Sequence, residues 1–332
     1  MNTNLLRTLV YIAALCGLYL STAMLVPAMV DLYYRDDNWS VFTVSAAMVG
    51  GISLTAAMAT RGPPPAFSKR MGFLLVNVLW AVFSVVGAIP LYFADLDLTF
   101  AQALFESISG ITTTGSTVIS GLDNIAPGIL MWRSLLAWLG GIGIVALGLF
   151  VLPFLRVGGM SFFKMESSDT GDKPFAPLAT FTRPNMADYH GNTHAYINSY
   201  DFAGMSHFDA INHAFSTVAT AGFSTHDMSF AYFDSYSILW ISTFFMTVCS
   251  LPFSILIVFV IRGRLDALRD PQIFIFLAYV AAFALAGGIY NHLQNDIALP
   301  IALTHSFFNF TSILSTTGFA SEDYTLWGPF AV

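Results

Sequence analysis

The feature that most constrains this chain is a series of apolar runs, each long enough to cross a lipid bilayer as a helix. A bilayer core about 30 Å thick requires roughly 20 apolar residues per helix. Hydrophobic residues make up 56% of the 332 residues and charged residues 10%, whereas a soluble domain carries about 25% charged residues. This balance excludes both a soluble globular domain and a disordered chain. We predict six membrane helices, at about 5–30, 41–60, 71–93, 129–155, 236–261 and 273–290.

The lysines and arginines are concentrated in alternate loops, which predicts how the helices are oriented. Cytoplasmic loops of membrane proteins hold the excess of these residues. Eleven of the 13 fall on one side of the predicted membrane. Arg7, before the first run, is among them, so the N-terminus is expected in the cytoplasm. The other ten on this side are Arg61, Lys69, Arg70, Arg156, Lys164, Lys173, Arg183, Arg262, Arg264 and Arg269.

The opposite face contains Arg35 and Arg133 as its only cationic side chains and is otherwise acidic. An acidic face concentrates cations near the membrane. The net charge of −7 provides no basic surface for a nucleic acid, so no nucleic-acid partner is expected.

Residues 184–201 form a polar segment that interrupts this alternation. Unless the chain crosses the membrane there, the turn with Arg262, Arg264 and Arg269 lies outside, against the distribution of charge. Yet the segment reads PNMADYHGNTHAYINSYD, and each charged residue at bilayer depth costs at least about 2.5 kcal/mol. Two interpretations remain: a genuine polar linker, or a reading-frame shift within a former transmembrane helix. We favour the second, because a linker leaves the charge distribution unexplained.

Three short segments on the predicted outer side resemble one another. Each is an apolar stretch of about ten residues, too short to span a bilayer, followed by serine or threonine and then glycine. Aligned on Gly115, Gly222 and Gly318, the glycines are 107 and 96 residues apart. Each segment is therefore predicted to be a re-entrant half-helix followed by a loop. The segments are ALFESISGITTTGST (103–117), INHAFSTVATAGFST (211–225) and SFFNFTSILSTTGFAS (306–321).

The repetition favours a functional loop over the alternative, a Ser/Thr-rich turn outside the membrane, because internal repeats indicate architecture. Non-helical backbone survives at membrane depth only where it lines water or protein. Glycine lets backbone carbonyls turn toward an ion, and a ring of such carbonyls can replace the hydration shell of K⁺. The candidate filter residues are Thr113, Thr114, Gly115, Thr220, Ala221, Gly222, Thr316, Thr317 and Gly318.

These segments, together with WRSLLAWLGGIGIV at 132–145, resemble the Trk/Ktr/HKT superfamily of potassium transporters, and most closely its bacterial TrkH-type membrane subunits. The resemblance implies an all-α membrane bundle in which four membrane–pore–membrane repeats surround one ion path, with the three glycines in the selectivity filter. It implies potassium uptake across the bacterial inner membrane, with K⁺ as the transported ion, no organic cofactor and no catalysis. The expected partners are a second copy of the chain, membrane lipid and a cytosolic nucleotide-binding regulatory subunit of the TrkA type.

On this pattern the chain divides into four parts. Residues 1–70 contain two leading transmembrane helices, 71–183 a first pore repeat, 184–271 a second repeat that begins with the polar segment, and 272–332 a third. The spacing places a fourth filter glycine about 100 residues beyond Gly318, so the third repeat is expected to be truncated and the filter incomplete. The alternative function is a non-conducting remnant or an assembly partner of such a transporter.

A cluster of polar residues offers one enzymatic interpretation. His190 and His194 are four residues apart, with Asp188, Asp201 and His207 nearby, a spacing that allows a zinc site and hence a membrane metalloenzyme. We favour this least, because the surrounding residues offer no element to hold the remaining ligands in place. No transition metal is therefore expected.

The sequence surroundings of several other residues predict their roles. Glu106 is either a buried acid that supports its loop or a solvated interfacial residue. Four glycines of the fourth run are expected to allow close helix packing, namely Gly140, Gly141, Gly143 and Gly148. Four histidines at predicted outer helix ends are expected to be solvated or to cap helices, namely His213, His226, His292 and His305.

We predict that residues 184–201 are a shifted reading of a lost transmembrane helix. Ten of the 18 residues are Asn, Asp, His or Tyr, whose codons all end in A and a pyrimidine, so a one-base shift turns each into a codon for Ile, Met or Thr. Resequencing the gene across this segment tests the prediction. An intact reading frame, together with a peptide containing NMADYHGNTHAYINSYDF from the expressed protein, would show that the polar segment is genuine.

Overall fold

The computed structural model describes residues 3–63, 69–155, 176–251 and 269–328. Every regular element in these ranges is an α-helix or a short 3₁₀ turn, which confirms the predicted all-α class. The α-helices are α1 (Thr3–Ala23), α2 (Leu25–Tyr34), α3 (Trp39–Thr60), α4 (Lys69–Phe93), α5 (Phe100–Ile111), α6 (Pro127–Leu155), α7 (Ala176–Phe202), α8 (His207–Val218), α9 (Tyr236–Cys249), α10 (Pro271–Asn295) and α11 (Leu299–Leu314).

Several of the helical stretches match the predicted membrane runs. Within the described ranges, four are long and apolar enough to cross a bilayer by length and composition: Thr3–Tyr34, Trp39–Thr60, Arg70–Phe93 and Pro271–Asn295. α6 covers the run predicted at 129–155. The run predicted at 236–261 begins as α9, and its second part lies outside the described residues.

The charged residues used for the orientation are only partly described. Arg133, one of the two exceptions on the acidic face, lies near the start of α6 and is 1% exposed. Its Nε donates to Oε1 of Glu106 in α5 at 2.7 Å, so this cation belongs to an internal ion pair rather than to a loop. Five of the predicted cytoplasmic cations lie outside the described residues, namely Arg156, Lys164, Lys173, Arg262 and Arg264.

The chain folds as two compact units. The first consists of Met1–Thr112, Thr117–Ile119 and Ile125–Thr182, and the second of Thr113–Ser116, Ser120–Asn124 and Arg183–Val332. All three glycine-containing loops therefore belong to the second unit. The four-part division at 1–70, 71–183, 184–271 and 272–332 follows the sequence repeat rather than compactness, and it stays a prediction.

Glycines allow helices of the first unit to approach one another closely. A Cβ added at Gly140 in α6 would overlap the carbonyl oxygen of Ile111, the last residue of α5. Gly143, three residues further along the same helix, has nothing within 4 Å of such a Cβ. The Nε1 of Trp132 also donates to the carbonyl of Gly87 at 2.9 Å. The packing interpretation is thus confirmed at Gly140.

The polar segment 184–201 lies within α7, a continuous helix of 27 residues. The ring of Tyr196, on the buried face of this helix, stacks on Phe245 of α9, with 3.8 Å between the ring centroids. The segment is therefore helical rather than an irregular linker, whereas the reading-frame shift concerns the gene and stays a prediction. The buried face recurs every three or four residues, as expected for one side of a helix, and consists of Tyr189, Thr193, Tyr196 and Tyr200.

We predict that Gly140→Val destabilises the protein, whereas Gly143→Val in the same helix does not. The added atoms at Gly140 meet backbone rather than a movable side chain, and overpacking of this kind typically costs about 1–3 kcal/mol. Thermal unfolding of the detergent-solubilised variants measures the difference. Equal unfolding temperatures for the two variants would contradict the assigned packing of α6 on α5.

Candidate ion-selectivity filter

The three aligned loops follow three short helices in the same register. α5, α8 and α11 end at Ile111, Val218 and Leu314, each four residues before the glycine of its loop. Two of the helices have a side-chain N-cap: the Thr99 side chain accepts from the backbone N–H of Gln102, and the Ser206 side chain from that of Asp209. The sequence prediction of half-helices followed by loops is consistent with this geometry.

The loops share an unusual backbone conformation. The three glycines have positive φ angles of 78° at Gly115, 80° at Gly222 and 89° at Gly318. The threonine two residues before each glycine also has a positive φ: 58° at Thr113, 50° at Thr220 and 58° at Thr316. A β-branched residue in this region is strained by about 1–3 kcal/mol, and such strain is characteristic of ligand-binding sites. The same strain in three repeats indicates a functional backbone.

Sequence reasoning expected positive φ only at the glycines. The threonines were missed because a β-branched side chain ordinarily opposes this conformation. The one signal that points to them is positional: Thr113, Thr220 and Thr316 stand at the same distance from their glycines.

Neighbouring loops touch through their backbones. A Cβ added at Gly115 would overlap the carbonyl oxygen of Ala221, and one added at Gly222 would overlap that of Thr317. In both cases the glycine of one loop faces the carbonyl of the residue before the glycine in the next loop. Gly318 has nothing within 4 Å of such a Cβ in the described part of the chain. The loops are thus arranged side by side in the order of the repeats.

Backbone N–H groups of the loops bond back to the helices that precede them. The N–H of Ala221 donates to the carbonyl of Ser216 at 2.9 Å, and that of Thr317 to the carbonyl of Ser312 at 2.9 Å. The helix C-termini, which carry the negative end of the helix dipole, therefore lie directly next to the loops.

Glu106 supports the first loop from behind. The side chain is 0% exposed, and its carboxylate accepts from the Thr117 hydroxyl at 2.9 Å and from the Val118 N–H at 3.0 Å, besides its ion pair with Arg133. The interpretation of Glu106 as a buried acid that supports its loop is confirmed.

His226 lies beside two carboxylates after the second loop. Its Nδ1 is 2.5 Å from Oδ1 of Asp123, its Nε2 is 3.4 Å from Oδ1 of Asp209, and its ring stacks on Tyr232 at 3.4 Å between centroids. Partial burial disfavours the charged ring, but the hydrogen bonds and charges of Asp209 and Asp123 outweigh it and raise the pKa of His226. The side chain is 13% exposed, so the expectation of a solvated or capping residue is wrong here.

His213 departs further from the same expectation, because it is 0% exposed. Phenylalanine rings surround its imidazole, with Phe230 and Phe233 at centroid distances of 5.0 and 5.2 Å. It was missed because a histidine in an apolar half-helix resembles an interfacial residue in sequence.

The polar tract around His190 and His194 does not form a metal-ligand set in the described part of the chain. Among the described residues, no group of three or more His, Cys, Asp or Glu side chains is placed to hold a metal ion. His190 contacts the carbonyl of Met186 at 2.6 Å, and His207 contacts Asp201 at 2.7 Å.

Comparisons with known proteins agree with this architecture. The family model TrkH, described as a cation transport protein, matches residues 42–286. The Trk system potassium uptake protein TrkI of Halomonas elongata is 35% identical over 318 residues, which are 96% of this chain and 64% of that protein. TrkH of Escherichia coli K12 is 35% identical over 332 residues, 97% of this chain and 68% of that protein.

A solved structure is also similar. The crystal structure of the potassium transporter TrkH from Vibrio parahaemolyticus matches with a TM-score of 0.89 and 31% identity, covering all of this chain and 68% of the other. The chain thus spans about two thirds of the length of the relatives that it matches.

We predict that protonation of His226 stabilises the protein. Because its pKa is raised in the folded state, the stabilisation is present below the unfolded value of about 6.5 and is lost as the pH rises through the folded value. Thermal unfolding between about pH 6 and pH 8 should therefore show a decline that is smaller in His226→Gln. Parallel pH profiles for the two proteins would contradict the assigned contacts with Asp123 and Asp209.

Proposed function

The chain belongs to the TrkH family of cation transport proteins, and we propose that it takes up potassium across the bacterial inner membrane through a path lined by its three filter loops. The residues that line the path are Thr113, Thr114, Gly115, Thr220, Ala221, Gly222, Thr316, Thr317 and Gly318. The observation that carries the proposal is the threefold backbone pattern, in which positive φ recurs at the glycine and two residues before it.

This backbone suits a dehydrated cation. An ion that leaves water for a membrane protein needs oxygen ligands in place of its hydration shell, and backbone carbonyls supply them without a fixed charge. The carbonyl oxygens of Ala221 and Thr317 lie against Gly115 and Gly222 of the neighbouring loops. The half-helix C-termini add the negative ends of their dipoles near the same backbone. Acidic residues on the predicted outer face raise the local concentration of cations before entry.

Potassium is the ion that the names of the relatives indicate. TrkI and TrkH are named potassium uptake proteins, and this chain keeps the loop pattern on which the resemblance rests. On the same basis we propose that the chain is a transporter rather than an enzyme and has no organic cofactor.

The partners are proposed from the same relationship. The relatives are named as members of a Trk system, which supports assembly with a cytosolic nucleotide-binding regulatory subunit of the TrkA type. We further propose a homodimer embedded in lipid, with the N-terminus in the cytoplasm.

We predict that Gly222→Ala strongly lowers potassium selectivity, whereas Gly204→Ala does not. Both glycines have positive φ, 80° and 104°, so both alanines carry similar backbone strain. Only the alanine at 222 collides with the carbonyl of Thr317, since Gly204 has nothing within 4 Å. The difference between the variants therefore isolates the contact between neighbouring loops.

The measurement is uptake of K⁺ and Na⁺ by a bacterial strain that lacks other potassium importers and expresses the protein from its own gene. We expect Gly222→Ala to lower the K⁺ over Na⁺ preference at least about tenfold, a loss of about 1.4 kcal/mol. Unchanged preference in folded Gly222→Ala would refute the filter assignment, and no K⁺ uptake by the unsubstituted protein would refute the proposed function.

A further inference from the structure

One position of the repeat holds three chemically different side chains. Counting nine residues back from each filter glycine gives Glu106, His213 and Asn309. They are 0%, 0% and 1% exposed, and each lies within a half-helix. Because the three residues are of different types, an alignment based on residue identity does not group them.

In each repeat, we call the residues that directly follow the filter loop the leaving chain. In the first repeat, Glu106 binds this leaving chain. Its carboxylate accepts from the hydroxyl of Thr117 and the N–H of Val118, which are two and three residues after Gly115. Both groups on the leaving chain are donors, and both meet acceptor oxygens.

In the second repeat, His213 makes the equivalent connection. Its Nδ1 lies 2.9 Å from the carbonyl of Asp209, which can only accept, so Nδ1 carries the proton. Its Nε2 lies 2.9 Å from the hydroxyl of Ser224, two residues after Gly222. The phenylalanine rings around the imidazole favour its neutral form. With the proton on Nδ1, a neutral ring has no proton on Nε2, so the Ser224 hydroxyl donates to Nε2.

In the third repeat, Asn309 makes two bonds to one residue. Its Nδ2 donates to the hydroxyl oxygen of Ser321 at 2.9 Å, and its Oδ1 accepts from the N–H of Ser321 at 3.1 Å. Ser321 stands three residues after Gly318. The half-helix and the leaving chain are again joined directly behind the loop.

Burial in a half-helix does not by itself create such a connection. Asn212, next to His213, is also 0% exposed, yet its Nδ2 donates to the carbonyl of Phe208 within its own helix. The Oδ1 of Asn212 has no hydrogen-bond partner among the described residues. The link to the leaving chain therefore does not follow from burial alone. The partly exposed Asp209 and His305, thirteen residues before their glycines, also contact this chain, through Thr225 and Ser321.

We propose that Glu106, His213 and Asn309 are positioning residues of the filter, each fixing the exit of its loop to the half-helix that precedes it. The proposal rests on the function proposed above and assigns the filter a set of supports. A loop with strained threonines relaxes unless the surrounding structure holds both of its ends. The C-terminus of the half-helix fixes the start of the loop, and the residue nine positions before the glycine fixes its end. Ion selectivity requires ligands that keep their positions, so loss of a support should act on ion binding.

The test compares Asn309→Leu with Asn212→Leu. Both variants replace a buried asparagine of a half-helix by the same apolar residue, but only the first removes bonds to a leaving chain. Uptake of K⁺ and Na⁺ is measured in the strain described above. We expect Asn309→Leu to raise the KM for K⁺ about tenfold, with little change for Na⁺ and in maximal rate, and Asn212→Leu to leave the K⁺ over Na⁺ preference unchanged.

Two further variants complete the design. Asn309→Asp keeps an acceptor for the N–H of Ser321 and should retain a K⁺ KM within about threefold of the unsubstituted protein. His213→Phe keeps an aromatic ring in its phenylalanine surroundings but removes the acceptor for Ser224, and should raise the K⁺ KM as Asn309→Leu does. If Asn309→Leu does not accumulate as folded protein, the K⁺ KM of His213→Phe tests the proposal instead.

The outcomes separate the two proposals. An unsubstituted protein without K⁺ uptake overturns the proposed function and this inference with it. A K⁺-selective protein whose folded Asn309→Leu or His213→Phe variant keeps its KM overturns the positioning role alone. An equal rise in KM in Asn212→Leu also overturns it, because the effect then follows burial rather than the link.

Discussion

The structure depends on keeping non-helical backbone inside a protein whose solvent is lipid. In a bilayer core every backbone N–H and C=O needs a partner within the protein. The loops of the second and third repeats, which we propose as part of the filter, meet this requirement locally. The N–H groups of Ala221 and Thr317 bond to carbonyls near the ends of the helices that precede them. The half-helices thus satisfy the loop donors, while the carbonyls of the same two residues lie against the glycine of the preceding repeat's loop.

Much of this architecture can be predicted from the sequence, because it follows from the spacing of the repeated glycines and the length of the apolar runs. The glycine register predicted the three loops, and apolar runs predicted α1 to α4, α6, α9 and α10. The polar helix α7 was harder, since its buried tyrosines alternate with His, Asn and Asp, and averaged hydropathy hides an amphipathic face. The strained threonines were not predictable, because local propensity argues against their conformation and only packing between loops enforces it.

The ion pair between Glu106 and Arg133 is an exception to the rule that cationic residues lie in the loops between membrane helices. Arg133 counts as an exception when all cations are assigned to loops, yet it is 1% exposed and bonds Glu106 at 2.7 Å. Burying two charges costs several kcal/mol each, and their attraction does not reliably exceed that cost. Stability alone therefore does not explain the pair. The contacts of Glu106 do explain it, because the same side chain that pairs with Arg133 also accepts from the Thr117 hydroxyl and the Val118 N–H of the leaving chain.

The three different side chains nine residues before the glycines follow from what each leaving chain offers. After Gly115 the leaving chain presents two donors, a hydroxyl and an N–H, and an acceptor-only carboxylate meets both. After Gly222 the hydroxyl of Ser224 faces this position, and a neutral imidazole with a single free lone pair accepts its proton. After Gly318 one serine presents an N–H donor and an oxygen acceptor, and an amide, which has both functions, meets the pair. In each repeat, the side chain at this position thus complements the hydrogen-bonding groups that its leaving chain presents.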